Sequence, residues 1–391
     1  MAVNKFDNSM FDAGTIGTTA NKLLQMDGSA KIPAVDGSLL TGILPSFTKS
    51  ASDPGIATNP SGGVGSLWAN TTSGEVYCCT DATAGENVWK NVGAGSGDVQ
   101  PWAFQGENYG YHSGGASPGA SNIIDKYSFT TDGNATDVGD MLTAKSNLCG
   151  VGNSSESYGY YSDNYPSNVI QKHSFSSDGN STDVGNQSTN AGDCGGHSST
   201  THGYIVGGYN GAAPGTDVID KHSFTTDGDA TDIGNLTSAR IQPGAASSVT
   251  HGYTVGGGDG NGGRRNVIDR HSFASDGDAT DVGDTLQASY RKGGSCSTTH
   301  GYVTGGHNGS SYINVIEKYS MVATANSTDV GDISGAYGSN SGTTATAYGY
   351  WAGGGPPNQN KIEKYSFSAD GNSTDVGDLT LARRDGAGTH Y

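Results

Sequence analysis

No stretch of this chain approaches the roughly 18 apolar residues that a membrane-crossing helix requires. Its first residues, MAVNKFDNSMFDAG, hold no apolar segment of the secretory kind. The expectation is a protein made in a cytoplasm and not exported through a recognisable signal. Charge is scarce too: 15% of residues are charged, and 20 basic against 38 acidic residues leave a formal net charge of −18. A nucleic-acid binder needs a basic stripe, and GRRN (Gly263 to Asn266) and ARR (Ala382 to Arg384) stand isolated. Negative charge also disfavours an anionic bilayer surface. Neither nucleic acid nor membrane insertion is therefore expected. The five cysteines (Cys78, Cys79, Cys149, Cys194, Cys296) are odd in number and lack metal-ligand spacing. They are expected to be small buried hydrophobes with no disulfide scaffold, neighbouring Cys78 and Cys79 pointing to opposite faces of a strand. No GxSxG elbow, HExxH, phosphate-binding loop or Cys–His pairing is visible. The chain is expected to be non-enzymatic, without cofactor or metal.

What is abundant is glycine, 64 of 391 residues, without a Gly-X-Y period, so collagen is excluded. Glycine marks the turns and short strands of a repeat that occurs six times between Asn122 and Asp378. The third copy reads HGYIVGG (His202 to Gly208), DVIDKHSF (Asp217 to Phe224), TDIGN (Thr231 to Asn235). The ring-bearing residue of the middle segment falls at Tyr127, His173, His222, His271, Tyr319 and Tyr365, spaced 46, 49, 49, 48 and 46 residues apart. Repeats of this length, built of short β-type segments, predict an all-β propeller. Each blade is expected to have four strands, for example Gln242 to Val249, His251 to Gly257, Asn266 to Phe273 and Ala279 to Asp284. The small residues of the first suit an innermost strand crowded around an axis. In the third, alternate side chains serve two buried blade faces. The chain enters on a second strand near Tyr109 and ends on LARRDGAGTHY (Leu381 to Tyr391), which has first-strand character. The prediction is six blades over 101–391, closed by the C-terminal strand.

Ahead of the propeller, 1–46 is expected to form brief strands too thinly apolar to bury a core alone. Self-association, most simply threefold, would solve that. Residues 47–64 look like a linker. Residues 65–93 are expected to form a three-stranded meander over Trp68 and Trp89, and 94–100 a Gly-rich hinge.

The GYxxGG strand followed by an acidic-basic-aromatic strand is similar to the kelch repeat, over 101–391. Kelch blades usually carry a tryptophan in the last strand, and TDVGD stands in its place here. KLLQMDGSAKIPAVDGSLLTGI and GSLWANTTSGEVYCCTDATAGENVWKNVG, across residues 20–93, resemble segments of the tail fibres of tailed bacteriophages, marine and cyanobacterial ones especially. That resemblance implies a virion protein whose N-terminal part docks on other virion or tail proteins and forms a homotrimer, with the propeller as distal head.

The Asp-rich hairpins, such as TTDGDATDIGN (Thr225 to Asn235), have a spacing reminiscent of calcium loops at Asp227, Asp229 and Asp232. Asp-Gly also supplies a tight hairpin and local caps, and several copies carry Asn in place of Asp229. Turn formation is the preferred reading. His202, His251 and His300 alternate with Tyr109, Tyr158 and Tyr348, which favours packing over a metal set. The same holds for His173, His222 and His271. Asp125, Asp220, Asp269, Glu317 and Glu363 are expected to pair with the basic residue beside each. The loops between second and third strands vary while the flanking strands stay uniform, as a recognition rim would. Tyr161, Tyr165, Tyr209, His307, Tyr312 and Trp351 are the candidate stacking surfaces, and Asn164, Asn210 and Asn308 the candidate hydrogen-bonding groups. That mixture suits a host cell-surface glycan, bound by three heads acting together. A structural spacer or collar of the virion is the alternative, and a glycan-degrading enzyme the third.

Overall fold

A computed structural model describes residues 47–92, 104–153 and 158–391. They fall into two compact units, divided between Pro101 and Trp102. The 1–46 self-association segment and the 94–100 hinge lie outside the described residues.

In the first unit, Leu67–Asn70, Val76–Asp81 and Val88–Asn91 form an antiparallel meander. Alternation buries Tyr77, Cys79 and Trp89 on one face and leaves Cys78 half-buried. Trp68 packs edge-on against Trp89 at 5.9 Å. The segment expected as a linker is instead built into this unit. Phe47–Ser50 adds a parallel strand beside Leu67–Asn70. The buried Asn87 amide donates to the Ile56 carbonyl at 2.7 Å and to Asn59 Oδ1 at 2.8 Å. Side-chain amides that satisfy loop carbonyls were not legible as structure, because SFTKSASDPGIATNPSGG has linker composition.

The second unit is all-β. Among the described residues its strands group into six antiparallel sheets, and the arrangement is propeller-like. One sheet is typical: Gly244–Ser247, His251–Val255, Val267–Ser272 and Thr280–Asp284 pair in chain order. The sheet that opens the unit pairs Tyr109–Ser113 with Gly119–Ser128 and Thr136–Lys145. Its innermost strand is Ala387–His390 from the chain's end, with Gly388 opposite His112. The inner strands neighbour one another in cyclic order, Ala387–His390 lying against Cys149–Asn153. Packing there is backbone to backbone: a Cβ on Gly342 would collide with the Gly294 carbonyl. Hence the small residues of every first strand.

Adjacent sheets are stitched by the repeat residues themselves. The third-strand lysine reaches the first hairpin Asp of the next sheet: Lys126–Asp178 at 3.0 Å, Lys172–Asp227 at 2.5 Å, Lys221–Asp276 at 2.7 Å, Lys318–Asp370 at 3.0 Å and Lys364–Asp132 at 2.5 Å. The next hairpin position accepts an N–H from the preceding outer strand, whether Asp229 from Asn186 or Asn180 from Asp140, both at 3.0 Å. Asn134 closes that series by accepting from Asp378 at 3.1 Å. Only an acceptor oxygen is needed, which explains why Asn and Asp interchange. In TDVGD the glycine is set by the same contact. At Gly185 (φ 152°) a Cβ would strike the Gly228 carbonyl of the next hairpin.

Two expectations are corrected. The third-strand acids do not pair with the base beside them, because neighbours on a strand face opposite ways. They turn to the preceding sheet's connection. Asp269 meets Arg240 at 2.7 Å, Asp125 meets Arg383 at 2.9 Å and Glu317 meets Lys292 at 2.9 Å, every partner at most 1% exposed. Asp220 accepts the Ser188 N–H, and Glu363 the Ser334 N–H. Secondly, Cys149 and Cys194 are joined as a disulfide between neighbouring sheets, with Cα atoms 4.9 Å apart. The repeat brings together two positions 45 residues apart that spacing alone does not connect. Cys78, Cys79 and Cys296 are free.

Candidate functional site

Two residues before each inner strand the chain turns through the left-handed region: Asn147 (φ 57°), Asp193 (φ 56°), Gln242 (φ 53°), Arg291 (φ 65°), Ser339 (φ 59°) and Asp385 (φ 58°). None is glycine, so each carries a conformational cost. What holds them is a cycle of backbone hydrogen bonds. Asp193 donates to Asn147 at 2.9 Å, Gln242 to Asp193 at 2.7 Å, Arg291 to Gln242 at 2.9 Å, Ser339 to Arg291 at 2.9 Å, Asp385 to Ser339 at 2.8 Å and Asn147 to Asp385 at 2.8 Å. This cycle is the mouth of an axial cavity of about 120 Å³. Phe104 lies at the other end, its ring against His390 at 4.8 Å. Gln242 Nε2 donates to Asp193 at 3.0 Å, and Arg291 Nε donates to Gln242 Oε1 at 3.1 Å. Desolvation pushes the Asp193 carboxyl up to about 7, and nearby Asp385 adds to this against the Gln242 hydrogen bond and Arg291.

The connections that end in this cycle share one face with the loops between second and third strands. Gly192 bridges to Tyr209, Ile241 to Gly258, Tyr290 to His307 and Gly338 to Gly355. The varied loops therefore stand around the polar mouth. Between them opens a second cavity of about 420 Å³, lined by Tyr209, Arg264, Tyr290 and Arg291 together with Asp193 and Asn147. Arg264 and Arg291 both lie over the Tyr290 ring, 5.2 Å and 5.4 Å from its centroid. Burial lowers the Arg291 pKa, but Asp385 and the Tyr312 and Tyr290 rings outweigh it and hold the guanidinium charged. No protein-family model and no curated protein matches this chain.

Of the residues singled out from sequence, the structure gathers some and removes others. Exposed Tyr165 meets half-buried Tyr209 edge-on at 5.8 Å. His307 meets Tyr312 at 4.8 Å, and the Tyr312 hydroxyl accepts from Arg291 at 3.2 Å. Asn210 is exposed beside Tyr209. Asn308 is spent locally: its amide donates to Gln287, and its oxygen accepts the Ser310 and Ser311 N–H groups. Tyr161 and Trp351 are fully buried and offer no rim surface. Both belong to second strands, which run on to Ser162 and Ala352. The strands continue through both residues and bury them. Asn164 is half-buried, its carbonyl oxygen pressed against Gly192.

Sequence reasoning missed the axial six and the Arg264–Tyr290–Arg291 group. A signal existed: one repeat position reads Asn, Asp, Gln, Arg, Ser, Asp in successive sheets. Among the described residues no cluster of three His, Cys, Asp or Glu side chains could hold a metal. His202, His251 and His300 instead engage the hydroxyl of the preceding threonine at 2.8, 2.8 and 2.9 Å.

Proposed function

We propose that the second unit is a closed six-bladed propeller and that the chain is a receptor-binding protein of a phage tail fibre. In this reading it is non-enzymatic and binds a host cell-surface glycan through its loop face, as a homotrimer attached to other virion proteins by its N-terminal part. The pairing of Ala387–His390 with Tyr109–Ser113 and the unbroken cycle of six backbone bonds support closure. The fibre assignment rests on the two N-terminal segments that resemble tail-fibre sequences.

One observation carries the binding reading. The variable loops and the polar axial mouth occupy the same face, whereas the hairpin face is tied up in sheet-to-sheet bonds. Polar side chains backed by aromatic rings are what a saccharide needs from a protein. Labelled full-length protein is expected to stain host cells, and Tyr209→Ala with Tyr312→Ala to reduce staining at least tenfold without unfolding. Unstained host cells would overturn the reading and favour a virion spacer.

A further inference from the structure

We propose that the cavity beside the axial mouth takes an acidic sugar residue, its carboxylate held by Arg264 and Arg291 and its ring lying against Tyr209. This rests on the glycan-binding reading and names the class of glycan. The chain has few cations, and the third-strand lysines are committed to hairpin aspartates on the other face. In the cavity two guanidinium groups share one tyrosine ring, and among the described residues neither forms an ion pair with a carboxylate.

Arg264 is held by the Gly262 carbonyl, while its Nε is buried without a partner. An unsatisfied buried donor is costly, and a ligand oxygen would satisfy it. Arg291 uses Nε on Gln242 and one terminal nitrogen on Tyr312, which leaves its other terminal nitrogen free. Stacking on Tyr290 fixes both forks, as bidentate recognition of a planar carboxylate requires. Tyr209, braced by Tyr165, supplies the apolar face. A molecule of charge −18 repels extended polyanions, so two cations in a pocket of about 420 Å³ select a single charged residue within a glycan.

Calorimetry on the full-length protein, with trigalacturonate, its methyl ester and galactose 6-phosphate as probes, tests this. Trigalacturonate is expected to bind at least tenfold more tightly than the ester. Arg264→Gln should abolish that preference with an unchanged thermal midpoint, and Arg264→Lys should restore it in part. Equal binding of acid and ester, binding of the phosphate alone, or no binding of any probe would each overturn the proposal. If wild-type protein still stains host cells in those cases, the glycan-class inference falls and the surface-binding reading stands. Absent staining removes both.

Discussion

A buried carboxylate costs least with its charge matched and its oxygens bonded, and Asp269 meets both conditions. It accepts from Arg240, from the Thr237 N–H and from the Thr237 hydroxyl. Removing one partner leaves a bare charge in the interior, which costs about 3–5 kcal/mol. Arg240→Met should therefore lower stability by about that amount in urea titration, and adding Asp269→Leu should recover most of it. The hairpin acceptor behaves differently because it sits in solvent. Asp229→Asn should be neutral, and Asp229→Ala should cost about half a kcal/mol, discounted from the ~1 of a typical hydrogen bond. Added calcium should leave the thermal midpoint unchanged, and a rise of several degrees would revive the ion-binding reading. Asn–Asp interchange made this role legible in the sequence. The Arg240–Asp269 pair was not, because it joins residues 29 positions apart, one in a connection and the other in a strand.

At the level of the strand, period-two patterning and Asp-Gly turns placed the repeat's elements within a residue or two, because each strand is short and recurs in every copy of the repeat. Tyr161 and Trp351 show where that precision fails, at the strand end where loop and strand share composition. The third strands of three sheets place His173, His222 and His271 in the positions that Tyr127, Tyr319 and Tyr365 hold elsewhere. Neither nitrogen of these imidazoles has a partner, and each packs on a tyrosine of the neighbouring sheet, 4.9, 5.4 and 5.1 Å away. Desolvation depresses His173 and His222 to about 3, and His271 well below its usual value. The folded state thus binds fewer protons than the unfolded chain below pH 6.5. The stability these histidines contribute should be full above pH 6.5 and fall progressively toward pH 3. His222→Phe should flatten part of that fall in chemical denaturation at stepped pH; an unchanged pH profile would refute the assignment.

For the whole molecule, the proposed function depends on the proposed closure, because a continuous ring would bring loops from six sheets around one mouth. The sequence showed why closure is possible, through a C-terminal segment with first-strand character. It could not show the axial cycle, whose bonds link positions 46 to 49 residues apart and a final pair 238 apart. Amide hydrogen exchange at that cycle is the most direct test. The Asn147 and Asp385 amides, whose bonds to Asp385 and Ser339 hold the C-terminal segment in the cycle, should be protected to the same degree as those of Asp193, Gln242, Arg291 and Ser339. Rapid exchange confined to Asn147 and Asp385 would mean an open ring and would contradict the account.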